Sequence, residues 1–340
     1  MHKILSYGLG WLDNGYFFLR NRIFSNEPPL FYEGWGANAA IDAVKQRFDA
    51  RDSAADIQVE WEGDWIVADG YRYRDGKFRS PFYQEHLPSE SLMAYFRMML
   101  PTCMENCPIV VHPATTRENG YKGREKNART LAKAGIGSVL MENPFRGRRR
   151  PACQPTATLR KLSDFVLLCG AAIEESRSLL LWLRRQGYQR LAVVGISKGG
   201  YIASVAGILS SFPVAIVTIV APHNGIVVFV DGLTSGLCDW NKLKHTCGER
   251  GDISARMQSV FNATSLERLP SPIPDRKVIL IGARHDRFVS KASYETMRNH
   301  WPHAEIRWLP GGHVSSIVQS RYFVSAIHDA FSMTIFTLIE

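Results

Sequence analysis

No stretch of this 340-residue sequence is apolar over the roughly 18 residues that a membrane-spanning helix requires, so no such helix is predicted. Cysteine is also scarce: six residues in a chain of this length do not form a disulfide framework, and reduced thiols are expected. One group of possible zinc ligands lies close together in the sequence, namely Cys238, His245 and Cys247. It lacks the second Cys or His pair of a zinc site. We therefore expect neither a bound metal nor a cofactor.

Signatures of nucleic-acid binding are missing as well. The formal net charge of +9 indicates an anionic partner, yet the sequence has no zinc-finger, RNA-recognition or basic-helix pattern. Its densest basic cluster, RGRRRP at 146–151, is only one loop long, and a solvent-exposed loop explains it equally well. We expect a small-molecule or lipid ester as partner and no nucleic acid, and the oligomeric state is left open.

The N-terminal segment lacks the features of a secretion signal. Asp13 and Asn14 interrupt its apolar stretch, and no A-x-A cleavage site follows. The segment is rich in aromatic residues and poor in acids, a composition that also suits a segment lying on a membrane surface. We expect a cytoplasmic protein, and peripheral membrane contact through residues 1–30 is left open.

Short apolar runs alternate with helical patterns from residue 90 onward. Near-continuous runs of Val, Ile and Leu are typical of strands buried on both faces, which predicts an α/β fold with a mostly parallel central sheet flanked by helices. The predicted strands cover 107–113, 137–144, 190–197, 214–223 and 276–286, and the predicted helices cover 124–135, 158–186, 198–212 and a terminal stretch of about 20 residues after 313.

Three regions fall outside this alternation. Residues 1–50 have no clear strand period and are expected to form an N-terminal extension packed on the core. Residues 56–100 alternate at period two, which predicts antiparallel strands leading into the sheet. Residues 224–270 are rich in Gly, Asn and charged residues and predict a small cap insertion over the sheet. We expect one main domain over residues 51–340.

The segment VVGISKGGYI, residues 193–202, places Ser197 between two glycines at the end of an apolar run. A strand, a sharp turn and a helix are the context of a nucleophile elbow, in which the serine has a strained backbone conformation. Side chains must be absent two residues before and after it, where strand and helix nearly touch, and Gly195 and Gly199 meet this requirement. The hydroxyl would lie at a helix N-terminus, which favours developing negative charge. Ser197 is therefore the predicted nucleophile.

A serine nucleophile needs a base and a group that orients the base. In folds with such an elbow the acid and then the histidine follow the serine, each beyond the end of a later strand. Asp286 directly follows the apolar run VILIGARH, and His313 lies in LPGGHVSS between a glycine pair and a helix. These two are the predicted acid and base. Asp231 and Asp239 are weaker alternatives for the acid, because both lie well inside the insertion.

Oxyanion donors complete such a site. One is expected to be the backbone N–H of Lys198, the residue after the nucleophile. The other is expected in the loop HPATTRENG, with Ala114 and Thr115 as candidates. The ammonium group of Lys198 is expected to point into solvent.

Several local patterns resemble those of a known family. Their order and spacing over roughly residues 31–330 resemble the α/β-hydrolase superfamily and, within it, the α/β-hydrolase domain-containing protein 18 branch. The resemblance implies an α/β-hydrolase domain, a lipid or ester acyl hydrolase activity, and nucleophile, acid and base roles for Ser197, Asp286 and His313. Lys198 departs from the methionine or other neutral residue expected beside the nucleophile. The patterns are YEGWG (32–36), ENPFRGRRRP (142–151), GISKGGYIAS (195–204), DRFV (286–289) and GGHVSS (311–316).

The arginine-rich loop follows a predicted strand, so it belongs to the loops that line the active-site face of an open sheet. Its side chains can pair there with a phosphate. With the positive net charge and the aromatic N-terminus, this predicts an anionic amphiphile as substrate, such as a phospholipid or lysophospholipid. Solvent exposure, or salt bridges with structural acids, fits the sequence equally well. The arginines concerned are Arg146, Arg148, Arg149 and Arg150.

The sequence thus predicts a metal-independent serine hydrolase that cleaves a carboxylic (acyl) ester through an acyl-enzyme. Two alternatives are left open. The same acyl-enzyme could pass its acyl group to an alcohol or thiol, as an acyltransferase, or the protein could be a non-catalytic binder of an apolar ligand. Covalent labelling of Ser197 by a fluorophosphonate separates the enzymes from the binder.

Overall fold

The computed structural model describes residues 13–15, 27–104, 106–247, 252–272, 277–317 and 319–332. In this part of the chain, nine strands form one sheet: β1 (Glu60–Ala68), β2 (Tyr71–Arg79), β3 (Met93–Pro101), β4 (Ile109–His112), β5 (Gly137–Met141), β6 (Leu191–Ile196), β7 (Ala215–Ile219), β8 (Val278–Ala283) and β9 (Glu305–Leu309). Their spatial order is β1-β2-β3-β5-β4-β6-β7-β8-β9. Strands β4 to β9 are parallel, whereas β1, β2 and β3 form an antiparallel unit joined antiparallel to β5.

The inner strands are short, between four and six residues long. Every residue of β4, β5, β7 and β8 is buried. Side chains alternate between two cores, so that Val111 and Val193 face one core while Val110 and Val194 face the other. The continuous apolar runs that predicted a parallel sheet are these doubly buried strands.

Helices cover both faces of the sheet. Buried apolar side chains of α1, α3 and α4 belong to the first core, and those of α9 to the second. Helix α2 places Leu131 in the second core, whereas its Ala128 and Ala132 belong to a smaller third cluster. Since the six parallel strands point the same way, the loops that follow them meet at one edge of the sheet. The helices are α1 (Asn38–Ala50), α2 (Lys122–Lys133), α3 (Leu162–Arg185), α4 (Lys198–Ile208), α5 (Trp240–His245), α6 (Ile253–Ala263), α7 (Lys291–His300), α8 (His313–Ile317) and α9 (Ser320–Ser332).

The structure differs from the sequence expectations in several places: α1, α7 and β9 were not predicted, and the terminal helix is divided. Helix α1 lies in the segment that was predicted only as an extension; its N-cap, Ala37, makes no side-chain capping bond and its first turn has no acid, so the usual start signals are missing. The single predicted terminal helix is divided into α8 and α9, and the amide of Gln319, just before α9, donates to the carbonyl of Ser316 in α8.

The region predicted as a cap insertion contains short helical segments in its described part. A π-helical turn at Val227–Asp231 and a 3-10 helix at Leu233–Leu237 precede α5 and α6. Residues 1–12 and 16–26, which include most of the segment proposed to contact a membrane, lie outside the described residues. Within the described ranges no helix is both long and apolar enough to span a bilayer.

Candidate active site

Ser197 lies in the sharp turn between β6 and α4. Its backbone angles, φ 54° and ψ −124°, are strained for a residue with a side chain. A Cβ atom at position 195 would lie 2.1 Å from the carbonyl oxygen of Gly199, and one at position 199 would lie 2.8 Å from the carbonyl oxygen of Pro113. Both positions therefore need glycine, and the turn has the steric design expected of a nucleophile elbow.

A continuous hydrogen-bond chain joins the three residues singled out from the sequence. The imidazole Nε2 of His313 is 3.0 Å from the hydroxyl oxygen of Ser197, and its Nδ1 is 2.8 Å from a carboxylate oxygen of Asp286. Asp286 follows β8 and His313 begins α8, so both lie at the same sheet edge as the elbow. The other carboxylate oxygen of Asp286 accepts the amide hydrogens of Phe288 and Val289, both at 2.8 Å, which fixes the acid in place.

The imidazole is buried beside a negative charge. The side chain of His313 is 8% exposed and that of Asp286 is fully buried. Burial alone would lower the pKa of His313, but the Asp286 carboxylate, helped by Asp13, outweighs burial and raises this pKa above its usual value. The ring of Phe288 packs against the imidazole with 5.0 Å between centroids. The histidine is thus arranged to accept a proton and to be stabilised once charged.

Asp13 is a further residue of the site, and the sequence analysis did not assign it a role. Its buried carboxylate accepts the amide hydrogens of His313 at 2.8 Å, Val314 at 2.9 Å and Arg287 at 3.1 Å. These contacts connect the histidine loop to the acid loop. A Cβ atom at position 312 would lie 2.5 Å from this carboxylate, which explains the second glycine of the GGH pattern. The one sequence signal was that Asp13 is the single acid among the first 24 residues.

The two candidate oxyanion donors differ in their surroundings. Lys198 begins α4, so its backbone N–H lies at a helix N-terminus directly after Ser197. In the opposite loop, the amide of Thr115 already donates to a carboxylate oxygen of Glu118 at 3.2 Å. The side chain of Asn143 holds this loop by donating to the carbonyl oxygens of Ala114 and Thr115, at 3.0 and 3.3 Å. Thr115 lines the cavity beside the serine, and Ala114 is fully buried.

The side chain of Lys198 was expected in solvent, and this expectation was wrong. Lys198 is only 7% exposed, and its Nζ has no hydrogen-bond partner among the described residues. The first turn of α4 directs it into the protein, where it lines the same cavity as Ser197. Burial lowers the pKa of this lysine to about 7.

The structure separates the four arginines of the 146–151 loop. Arg149 is fully buried and pairs with Glu175 at 2.6 Å, while Arg148 pairs with Glu62 at 2.9 Å. Arg150 is exposed. Only Arg146 of the four lines the cavity, where it is 3% exposed. The loop is therefore not one cationic patch, because two of its charges are neutralised by acids elsewhere in the fold.

A cavity of about 430 Å³ opens beside Ser197 and His313. Its walls are largely apolar, with rings from α1, α3 and the 224–270 region. Two of these rings, Phe229 and Phe261, stack with 5.4 Å between centroids. In the described residues no group of three or more His, Cys, Asp or Glu side chains is arranged to hold a metal ion. The phenylalanines that line the cavity are Phe31, Phe48, Phe82, Phe165, Phe229, Phe261 and Phe288.

Comparison with solved structures shows which proteins have the same fold. Acetyl xylan esterase 1 from Thermoanaerobacterium sp. JW/SL YS485 superposes with a TM-score of 0.61 at 13% identity, covering 89% of this chain and 95% of the esterase. The acetyl xylan esterase from Paenibacillus sp. R4 gives 0.60 at 14% identity, covering 87% and 97%. At this identity the likeness concerns the fold alone. It confirms the predicted α/β-hydrolase sheet.

Sequence comparison finds relatives with higher sequence identity than these esterases. Two proteins of Mycobacterium tuberculosis, from strains CDC 1551 / Oshkosh and ATCC 25618 / H37Rv, are each 32% identical over 192 residues, which is 55% of this chain. The match covers 44% of each, so this chain spans less than half the length of these relatives. The family model described as "Alpha/beta hydrolase domain containing 18" matches residues 28–255 and 244–333. Because these ranges cover most of the chain, it belongs to the alpha/beta hydrolase domain containing 18 family.

Proposed function

We propose that the protein is a serine hydrolase that cleaves carboxylic esters through a Ser197–His313–Asp286 triad. The observation that carries the proposal is the unbroken hydrogen-bond chain from the strained serine through the buried histidine to the buried carboxylate. Family membership and the esterase-like fold support the same reaction class.

In the proposed reaction the hydroxyl oxygen of Ser197 attacks the acyl carbonyl carbon while its proton passes to Nε2 of His313. The backbone N–H of Lys198 and one from the Ala114–Thr115 loop stabilise the oxyanion. If Thr115 is the second donor, its bond to Glu118 must open first. The imidazolium then protonates the leaving alkoxide, and the acyl group stays on the serine. Water then attacks the acyl carbonyl carbon while His313 accepts its proton, and the imidazolium returns this proton to the oxygen of Ser197 as the carboxylic acid leaves.

The apolar cavity supports an ester with a sizeable apolar part, such as a lipid acyl ester. Apolar side chains, seven phenylalanines among them, line most of the space next to the serine, and burying an acyl chain against them contributes about 0.8 kcal/mol per methylene. We therefore expect kcat/KM for neutral esters to rise with acyl chain length until the cavity is filled.

The test combines a covalent probe with matched variants. A fluorophosphonate should label the wild-type protein and Ser254→Ala, in which an exposed serine of α6 is removed, but should leave Ser197→Ala unlabelled. On a panel of nitrophenyl esters, Ser197→Ala should lower kcat by about four to six orders of magnitude. Normal turnover by this variant would contradict the proposal.

The same ester panel also tests for acyl transfer. Adding an alcohol or a thiol and measuring acylated acceptor against free acid separates transfer from hydrolysis. Absence of both labelling and turnover would instead favour a non-catalytic protein that binds apolar ligands in the cavity.

A further inference from the structure

Two basic side chains in the cavity form no ion pair with any of the described residues. Lys198 and Arg146 both line the space beside Ser197 and are more than nine-tenths buried. Nζ of Lys198, and Nε and Nη1 of Arg146, lack a hydrogen-bond partner among the described residues. Buried polar groups in proteins are almost always paired, so these three atoms require a physical explanation.

Other charges near the cavity are accounted for. Arg47 pairs with Glu174 at 2.7 Å, and Arg117 pairs with Glu27 at 2.7 Å. Glu118, the carboxylate that favours protonated Lys198, is already bound by Arg124 at 2.8 Å. Glu118 and Glu27 favour the charged forms of Lys198 and Arg146 from a distance, but among the described residues neither acid forms an ion pair with them.

The thiol of Cys169, which also lines the cavity, does not serve as a counter-ion either. Burial raises the pKa of the Cys169 thiol to about 12, so it is neutral at physiological pH. The charge of Arg146 also disfavours protonated Lys198: burial, reinforced by this charge, lowers the pKa of Lys198 to about 7. Burial, reinforced by Arg117, lowers the pKa of Arg146 to about 10. Such an arrangement costs stability and is relieved by an anion placed between the two groups.

We propose that Lys198 and Arg146 form an anion-binding subsite inside the cavity, which takes a carboxylate or phosphate group carried by the ester substrate. The inference rests on the proposed function, because the subsite lies in the same cavity as Ser197. It deepens that function by assigning the substrate class: an ester with an apolar part that fills the phenylalanine-lined space and an anionic group that enters it. Both side chains donate several hydrogen bonds, which suits an oxyanion with two or more acceptor oxygens.

The kinetic test uses substrate pairs that differ in the anionic group. Nitrophenyl hexanoate is compared with the nitrophenyl monoester of adipic acid, which adds a carboxylate on the acyl side. Monooctanoylglycerol is compared with its glycerol phosphate counterpart, which adds a phosphate on the alcohol side. The readout is the ratio of kcat/KM for the anionic ester to that for its neutral partner.

Lys198→Met and Arg146→Met should each lower this ratio by about 10- to 100-fold in at least one pair, as expected for a lost charge-assisted hydrogen bond. The pair that responds identifies the anion and the side of the ester that carries it. Lys198→Gln provides a second uncharged variant if the methionine variant does not fold. Lys126→Met removes an exposed charge from α2 and should leave the ratio unchanged.

A binding measurement separates the subsite from the catalytic proposal. Octanoate and octyl phosphate should raise the melting temperature of the wild-type protein more than octan-1-ol does, and both methionine variants should lose this difference. If Ser197→Ala retains full turnover while the anions still stabilise the wild type, the proposed function fails and the subsite stands. Ser197-dependent cleavage with an unchanged ratio in every pair, and no difference between the anions and octanol, would overturn the subsite alone.

Discussion

Replacing Lys198 by methionine is expected to stabilise the protein by an amount that depends on pH. The ammonium is buried without a partner among the described residues, so folding transfers a charge from water to a poorly compensating environment. Methionine has a similar shape and carries no charge. The substitution therefore removes the electrostatic cost and keeps most of the apolar contacts of the lysine stem.

The size and sign of the effect follow from the pKa of this lysine. It is 10.5 in an unfolded chain and about 7 in the folded protein, because burial disfavours the charged form. Between these values the unfolded chain holds a proton that the folded protein lacks, so stability rises with pH by about 1.4 kcal/mol per pH unit. Below the folded pKa the full cost of about 4 to 5 kcal/mol applies, and near pH 9 it has fallen to about 2 kcal/mol.

The groups that face the lysine limit the useful pH range. Cys169 stays neutral because burial raises its pKa to about 12, and Glu118 is bound by Arg124. Burial lowers the pKa of Arg146 to about 10, so titration of this arginine is avoided by working at pH 9 and below.

Urea unfolding at pH 6 and pH 9 tests the prediction. The stability gained by Lys198→Met should be larger at pH 6, by about 2 to 3 kcal/mol, and Lys126→Met should show no such difference. An equal gain at both pH values would attribute the effect to packing. A loss at pH 6 would refute the claim that the charge is uncompensated.

Three further outcomes are expected. Asp286→Asn should lower kcat by about four orders of magnitude, and it should move the acid limb of the kcat/KM profile to lower pH, because this carboxylate raises the pKa of His313. Asp13→Asn should lower kcat by about 10- to 100-fold with little change in KM, since it weakens the bonds that position the histidine loop; the same acid limb should shift slightly to lower pH. Arg149→Ala should destabilise the protein by about 3 to 5 kcal/mol, because it leaves the buried carboxylate of Glu175 unpaired.

Each of these outcomes has a direct check. Stopped-time ester assays between pH 5 and 9 give the two pH profiles, and an unmoved acid limb in Asp286→Asn would contradict the assigned cause of the raised pKa. For Asp13→Asn, a change in melting temperature with unaltered kcat and pH profile would reduce its role to stability. Urea unfolding of Arg149→Ala, with Arg150→Ala as the exposed control from the same loop, tests the buried pair. Equal stability of the two variants would count against that pair.

Local pattern was enough to predict most of the sheet, although β9, whose residues are mostly half-buried, was not among the predicted strands. Each apolar run that was predicted as a strand contains one, since a strand buried on both faces has no polar alternation to obscure it. The nucleophile elbow could also be predicted from a short segment, because its requirement for two glycines is steric and acts over a few residues. Helix α1 was missed because it begins without a capping side chain, and its place is set by packing against α3 in the first core.

The sequence by itself determined the fold class and the order in which a serine, an acid and a histidine follow the ends of parallel strands, since both depend on patterns within short windows. Only the tertiary structure decided which charged residues lie next to one another. Asp13 contacts His313 across 300 residues of chain. Arg149 pairs with Glu175, whereas Nε and Nη1 of Arg146 find no partner within the described part of the chain. Electrostatic partners are chosen by proximity in space and by exclusion of water, and neither quantity is encoded in any one segment.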